Sequence, residues 1–170
     1  MNRRLPTAIL MLLPMTLAAQ GVDTQGKGYF LHLGVDKVDT GANGVSPVAE
    51  AGVPIYRSGH SCLGLFGGGT QWTRGAYSAS EMQAGNLIQK RVVWVGLYGG
   101  GDFLTLGAAA EYGRSEIYAV PVAPNGWYDD VTWTRTGAMG FLSLHGRNGW
   151  GGFVHGGSQS GVGLGLSVNF

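Results

Sequence analysis

The sequence predicts an all-β fold, an antiparallel up-and-down transmembrane β-barrel of eight strands. Three observations predict it: an apolar export segment at the N-terminus, no later apolar stretch long enough for a membrane helix, and a last strand with one wholly apolar face. The 170 residues suffice for one domain behind the export segment. We therefore expect a single barrel domain.

The N-terminus has the features of a secretory signal peptide. Arg3 and Arg4 form a positive region, residues 8–13 form a short apolar core, and small residues follow it. Two prolines interrupt the apolar stretch, which falls short of the roughly 20 residues that a membrane helix needs. We expect a cleaved signal peptide at 1–19 and a barrel domain at 20–170.

Composition excludes several classes of protein. Charged residues make up only 12% of the chain, against about 25% in average soluble domains. Without the two arginines of the signal, nine basic residues face ten acidic ones, so a nucleic-acid partner is not expected. Cys62 is the only cysteine, which excludes an intrachain disulfide and a metal or redox motif built on paired cysteines.

The last strand alternates strictly between apolar and small residues. In an open sheet it would be an unprotected apolar edge, whereas in a closed barrel it pairs with the first strand. Closure therefore explains why the chain ends on such a strand. One face carries Val162, Leu164, Leu166, Val168 and Phe170, and the other carries Gly161, Gly163, Gly165, Ser167 and Asn169.

This end of the chain resembles the C-terminal targeting signal of Gram-negative outer-membrane proteins. That signal has a terminal aromatic residue, a hydrophobic residue two positions before it and a glycine five before it, which are here Phe170, Val168 and Gly165. The layout is similar to the small eight-stranded outer-membrane barrels of the OmpX and OmpA type. The resemblance implies a bacterial outer-membrane location, recognition by the barrel-assembly machinery, and contact with outer-membrane lipids and lipopolysaccharide. On the terminal strand, Val162, Leu164 and Leu166 would face the lipid.

Strand-like stretches alternate with connections of unequal length. Short turns would lie at the periplasmic end, and longer loops would face outward. The loops 74–86 and 115–127 are the places where an extracellular ligand would bind. The predicted strands are 27–38, 47–57, 61–73, 87–99, 102–114, 128–145, 149–156 and 160–170.

Residues out of phase with the aliphatic face should point into the barrel. Glu50 and Glu111 are such residues, and a buried carboxylate needs a partner, for which Lys90 and Arg135 are the candidate cations. We expect lumen ion pairs with a structural role. Large side chains such as Trp94 and Phe103 would fill the space opposite the terminal glycines.

Aromatic residues near the strand ends are typical of two interfacial girdles. In the fourth strand, Val93, Val95 and Leu97 are the expected lipid-facing set, opposite Val92, Trp94 and Tyr98. The girdle candidates are Tyr29, Tyr56, Tyr98 and Trp150 at one end, and Trp72, Tyr112, Trp127 and Tyr128 at the other.

The sequence contains no catalytic, cofactor-binding or metal-binding motif, so we expect a structural or surface-interaction role. One alternative is a lipid-modifying barrel enzyme similar to lipid A deacylases, with His155 and Ser158 as candidates. Their spacing of three differs from the two-residue spacing of those enzymes, and no acidic residue follows Asp130. Another alternative is a soluble secreted β-barrel that binds a small ligand.

Overall fold

A computed structural model describes residues 28–39, 43–73, 87–122 and 127–170. The expected signal peptide and the loop 74–86 lie outside the described residues. No helix in the described ranges is long and apolar enough to cross a membrane.

The described residues form eight antiparallel strands in a closed barrel, which confirms the predicted up-and-down fold. Each strand pairs with its neighbours in the sequence, and β1 pairs with β8. The strands are β1 (Phe30–Asp39), β2 (Asn43–Ser58), β3 (Ser61–Thr73), β4 (Leu87–Gly101), β5 (Leu104–Val122), β6 (Trp127–His145), β7 (Trp150–Gly157) and β8 (Gly161–Asn169).

Phe170 completes the closure of the barrel between β8 and the residues just before β1. The Phe170 amide donates to the carbonyl of Tyr29 at 2.9 Å, and the Tyr29 amide donates to the carbonyl of Phe170 at 3.0 Å. The two rings stack with their centroids 6.1 Å apart. The terminal strand is therefore paired along its whole length, as a closed barrel requires.

Side chains alternate between the inside and the outside of the barrel. On β8, Val162, Leu164 and Leu166 are 67%, 60% and 64% exposed on the outer face. On β4, Val93, Val95 and Leu97 are exposed and Val92, Trp94 and Tyr98 are buried, as predicted. The interior holds buried polar groups as well as aromatic rings, so the molecule has an apolar outside and a mixed inside.

Several aromatic residues lie at positions that differ from those predicted from the sequence. Phe103, expected in the lumen, is 58% exposed in the turn between β4 and β5. Tyr98 and Trp72, expected in the girdles, are buried because both follow the inward phase of their strands. Tyr98 instead packs inside the barrel near the start of β1, where its hydroxyl donates to the carbonyl of Gly28. The aromatic cluster at that end contains Phe30, Phe66, Tyr98 and Phe141.

The strands differ greatly in length. β5 and β6 have 19 residues each, whereas β7 and β8 have 8 and 9. The predicted loop 115–127 is wrong, because β5 continues to Val122 and pairs with β6 from Trp127. The hairpin of β5 and β6 thus extends well beyond the short hairpin of β7 and β8.

Candidate functional site

A cluster of ionisable side chains lies inside the barrel at mid-height. The carboxylate of Glu50 on β2 accepts a bond from Nδ1 of His32 at 2.8 Å and from Nε1 of Trp94 at 2.9 Å. The imidazole of His32 stacks on Phe153 with centroids 4.5 Å apart. Each of these groups is buried. Hydrogen bonds and ring contacts within the protein therefore replace the hydration that these groups lose on folding.

A second pair continues this cluster. Nε2 of His155 on β7 hydrogen-bonds the carboxylate of Asp36 on β1, and Nδ1 of His155 lies 3.9 Å from the Glu50 carboxylate. All three side chains are fully buried. Two imidazoles and two carboxylates therefore tie β1, β2 and β7 together across the lumen.

Glu111 on β5 has a different environment. Its carboxylate accepts bonds from the amides of Gln159 at 2.8 Å and Ser160 at 3.1 Å, and from the hydroxyls of Ser158 and Ser160. These donors all come from the turn between β7 and β8. Bonds from backbone amides stabilise a buried carboxylate without a cation. Glu111 therefore holds this turn against the inner side of β6 and links it to β5.

Glu50 and Glu111 both lie inside the barrel, as their phase predicted. Their hydrogen bonds described above come from His32, Trp94 and the turn between β7 and β8, which the sequence did not predict. Lys90 is buried on the inner side of β4. Arg135 follows the inward phase of β6 but is exposed, because β7 pairs with β6 only from Met139 onward and no longer covers it.

A serine and histidine cluster near the end of β8 was not predicted. Nε2 of His145 lies 2.8 Å from the hydroxyl of Ser143 and 2.6 Å from that of Ser167. The sequence contained a pattern that could have predicted it, since Ser143 and His145 are two residues apart and share a strand face. Both hydroxyls are fully buried, so a lipid or soluble ester outside the barrel cannot reach them.

His155 and Ser158, the candidate residues for a hydrolase, do not face each other. His155 faces Asp36, whereas the hydroxyl of Ser158 faces Glu111 and accepts a bond from the amide of Ala138. A serine nucleophile needs the histidine within hydrogen-bond reach. The arrangement does not support the deacylase alternative. Within the described ranges, no group of three or more histidine, cysteine or acidic side chains is placed to hold a metal ion.

The projecting part of β6 has main-chain groups on one side with which no strand of the described chain pairs. Both the amide and the carbonyl of Ala138 face the turn that ends β7, since they bond to Ser158. Strand groups alternate with a period of two, so Thr132, Thr134 and Thr136 present their amides and carbonyls on the same side. Within the described chain, no strand pairs with β6 on that side before Met139. This stretch is an open sheet edge, which we call the β6 edge.

These features define a closed antiparallel barrel with buried hydrogen bonds between its strands and one projecting hairpin. No protein-family model matches the chain, and no curated protein is similar to it in sequence. Among solved structures, Ail, the attachment invasion locus protein of Yersinia pestis, is similar with a TM-score of 0.41 and 12% identity, over 84% of this chain and 93% of that chain. The structure of the same protein in complex with the heparin analogue sucrose octasulfate is similar with a TM-score of 0.42 and 11% identity, over 84% of this chain and 94% of that chain.

Proposed function

We propose that this chain is a bacterial outer-membrane protein that presents the hairpin of β5 and β6 to the exterior as a surface for protein interaction. The observation that carries the membrane location is the aliphatic outer face of the barrel. Large exposed aliphatic side chains cover it, while His32, His155, Asp36, Glu50 and Glu111 are buried inside. In water such a surface would be an aggregation hazard, whereas lipid solvates it.

The outer face also indicates how far the lipid extends. Along several strands the outward residues change from aliphatic to polar at a similar level. On β4, the 10 residues from Val92 to Gly101 lie on the apolar side of this change, and a tilted membrane strand needs about 9 to 11. The first polar outward residues are Lys37, Gln71, Arg91, Arg114 and Thr136.

The orientation follows from the two ends of the barrel. The start of β1, the end of β8 and the tight turns near Gly59, Phe103 and Gly149 lie at one end, which is periplasmic in outer-membrane barrels. The hairpin of β5 and β6 lies at the other end, beyond the polar level of Arg114. It would therefore project from the cell surface.

The β6 edge is the part of this hairpin that suits a partner. An edge with unpaired amides and carbonyls is a template on which an extended segment of another protein can add a strand. The threonines of the edge favour strand pairing. Arg135 lies between them, and its charge disfavours non-specific pairing with the strands of other proteins. The loop 74–86, also proposed as a ligand site, lies outside the described residues.

The two alternatives receive less support from the geometry. A soluble ligand-binding barrel needs a solvated exterior, which the aliphatic outer face does not provide. A lipid-modifying enzyme needs a nucleophile that its substrate can reach, whereas Ser143 and Ser167 are buried and Ser158 has no histidine partner. We therefore propose a non-enzymatic role.

Cell fractionation tests the location. The protein should appear in the outer-membrane fraction, begin near Gln20 by mass spectrometry, and migrate differently on a gel before and after boiling. A soluble protein whose migration does not change on heating would contradict the membrane assignment.

Cysteine labelling tests the orientation. In a Cys62→Ala background, Thr134→Cys should react with a membrane-impermeant maleimide on intact cells. His60→Cys is the matched control in the opposite turn, and its side chain is 91% exposed, so it should react only after lysis. Labelling of His60→Cys on intact cells, with protection of Thr134→Cys, would reverse the orientation.

Hydrogen exchange tests the β6 edge itself. In detergent micelles, the amides of Thr132, Thr134 and Thr136 should exchange quickly, whereas those of Trp133 and Arg135 should be protected by β5. Thr134→Pro should leave the barrel intact, because proline is tolerated where an edge amide faces outward. Equal protection of all five amides would mean that the edge is covered.

A further inference from the structure

The outer face of the barrel contains a groove across β1 to β4. It encloses about 350 Å³ and is bounded by outward side chains of these four strands. Leu33 pairs with Ala49, Ala49 with Gly69, and Gly69 with Val93, so one row crosses all four strands. The small residues of the row form the floor, and the larger aliphatic residues at its ends form the walls.

The groove is polar at one end only. The next row toward the cell exterior contains Gln71 and Arg91, which line the groove, and Arg114, which is the register partner of Arg91 on β5. This row lies at the level where the outer face changes from aliphatic to polar. The groove therefore runs from the apolar band to a cationic end.

The two arginines are incompletely neutralised by the described residues. The guanidinium of Arg91 donates to the side-chain amide oxygen of Gln89 at 3.1 Å, which carries no charge. Nε of Arg114 lies 3.4 Å from the carboxylate of Glu116. One carboxylate, which is only partly exposed, thus lies beside Arg114, and no carboxylate of the described residues is paired with Arg91. An anion between the two arginines would relieve their repulsion.

We propose that this groove binds one phosphorylated, multiply acylated lipid of the outer leaflet, the lipid A part of lipopolysaccharide. An acyl chain would lie on Ala49 and Gly69, and a phosphate would be held by Arg91 and Arg114. Arginine suits phosphate because its planar fork donates two parallel hydrogen bonds. The inference rests on the proposed outer-membrane location, and it adds a specific lipid site to that location.

Other occupants predict different requirements. Free phosphate would need the arginines but not the apolar floor. A second copy of the chain would need the aliphatic walls but not the phosphate. The groove combines an apolar floor with cations at the level where lipid phosphates lie, so a single molecule that carries both chemistries fits it best.

Native mass spectrometry of the folded protein in detergent micelles tests the proposal with purified lipid A as the probe. One lipid A should bind per barrel. Arg91→Gln combined with Arg114→Gln should weaken binding by about tenfold or more. Ala49→Leu, which fills the floor, should weaken it as well. Lipid A without phosphates should bind more weakly than the phosphorylated form, and inorganic phosphate should not displace it.

Two matched controls lie away from the groove. Ala108→Leu makes the same change on the outer face of β5, and Arg147→Gln removes a cation from the turn at the opposite end. Both should bind lipid A as the unchanged protein does. Equal binding by all variants, or displacement by inorganic phosphate, would overturn the lipid site. The same samples should still show heat-modifiable migration, and its loss would instead contradict the membrane barrel.

Discussion

Asp36 on β1 and His155 on β7 form a hydrogen bond although they are 119 positions apart in the sequence and another strand separates them. The strand between them is β8, and Gly163 is the register partner of both residues. A Cβ atom on Gly163 would collide with the Asp36 carboxylate and with the His155 imidazole. The missing side chain on β8 therefore allows two strands that do not pair to bond through the lumen.

The first prediction concerns this pair. Asp36→Asn keeps the size of the side chain and should lower the free energy of unfolding by about 2 to 3 kcal/mol, because a neutral amide replaces the carboxylate in a buried hydrogen bond with His155. Urea titration of the folded barrel in detergent micelles measures the change. Glu116→Gln is the control, since its exposed pair with Arg114 should contribute no more than about 1 kcal/mol.

A double-mutant cycle distinguishes the loss of the interaction between Asp36 and His155 from an independent destabilisation by each substitution. The effects of Asp36→Asn and His155→Gln should not add, and their coupling should exceed about 0.5 kcal/mol. Additive effects, or an Asp36→Asn effect as small as that of Glu116→Gln, would mean that the hydrogen bond does not stabilise the barrel.

The second prediction concerns the glycine between the two residues. Gly163→Ala should destabilise the barrel by about 1 to 3 kcal/mol, since the added carbon overpacks the lumen at Asp36 and His155. Gly156→Ala on the adjacent strand is the matched control, because a Cβ there has no atom within 4 Å. Gly156→Ala should be neutral in the same urea titration. Equal effects of the two substitutions would show that the lumen can expand around Gly163.

The direction of side chains could be predicted from the sequence, but their partners could not. The period of two places Glu50, Glu111, Lys90 and Arg135 on the inner phase of their strands. Whether two inward residues meet depends also on the stagger of the strands around the barrel, which local alternation does not determine. This is why Arg135 lies above the end of β7 and why Glu111 meets the turn at Ser160.

The end of β5 was missed for a related reason. The prediction ended the strand at residue 114, where the aliphatic alternation stops. Beyond Arg114 the strand leaves the apolar band of the outer face, so its outward residues no longer need to be aliphatic. Residues 115–117 and 120–122 nevertheless pair with β6, with a register shift between Ile117 and Val120. Hydrophobic periodicity therefore marks the extent of the apolar band better than the extent of a strand.

The third prediction concerns the attachment of the turn between β7 and β8. Glu111→Ala leaves the amides of Gln159 and Ser160 without their carboxylate acceptor and should cost about 2 to 3 kcal/mol of stability. Hydrogen exchange should show that protection of these two amides is lost, while the amides in the middle of β8 remain protected. Glu116→Gln again serves as the control. Unchanged protection of Gln159 and Ser160 would show that the turn holds its conformation without Glu111.

The last prediction concerns barrel assembly in the cell. The resemblance of Gly165, Val168 and Phe170 to an outer-membrane targeting signal leads us to propose that the assembly machinery recognises them. Phe170 also closes the barrel through its hydrogen bonds and ring contact with Tyr29, so a loss of stability and a loss of targeting must be told apart.

Phe170→Ala retains the main-chain bonds and removes only the ring. Less heat-modifiable protein should reach the outer membrane, while the purified variant should still fold in detergent micelles. Phe103→Ala is the matched control, because it removes another exposed aromatic ring at the same end of the barrel. If Phe170→Ala and Phe103→Ala reach the membrane equally, the terminal residue is not a targeting signal. If Phe170→Ala also fails to fold in micelles, its role is structural closure.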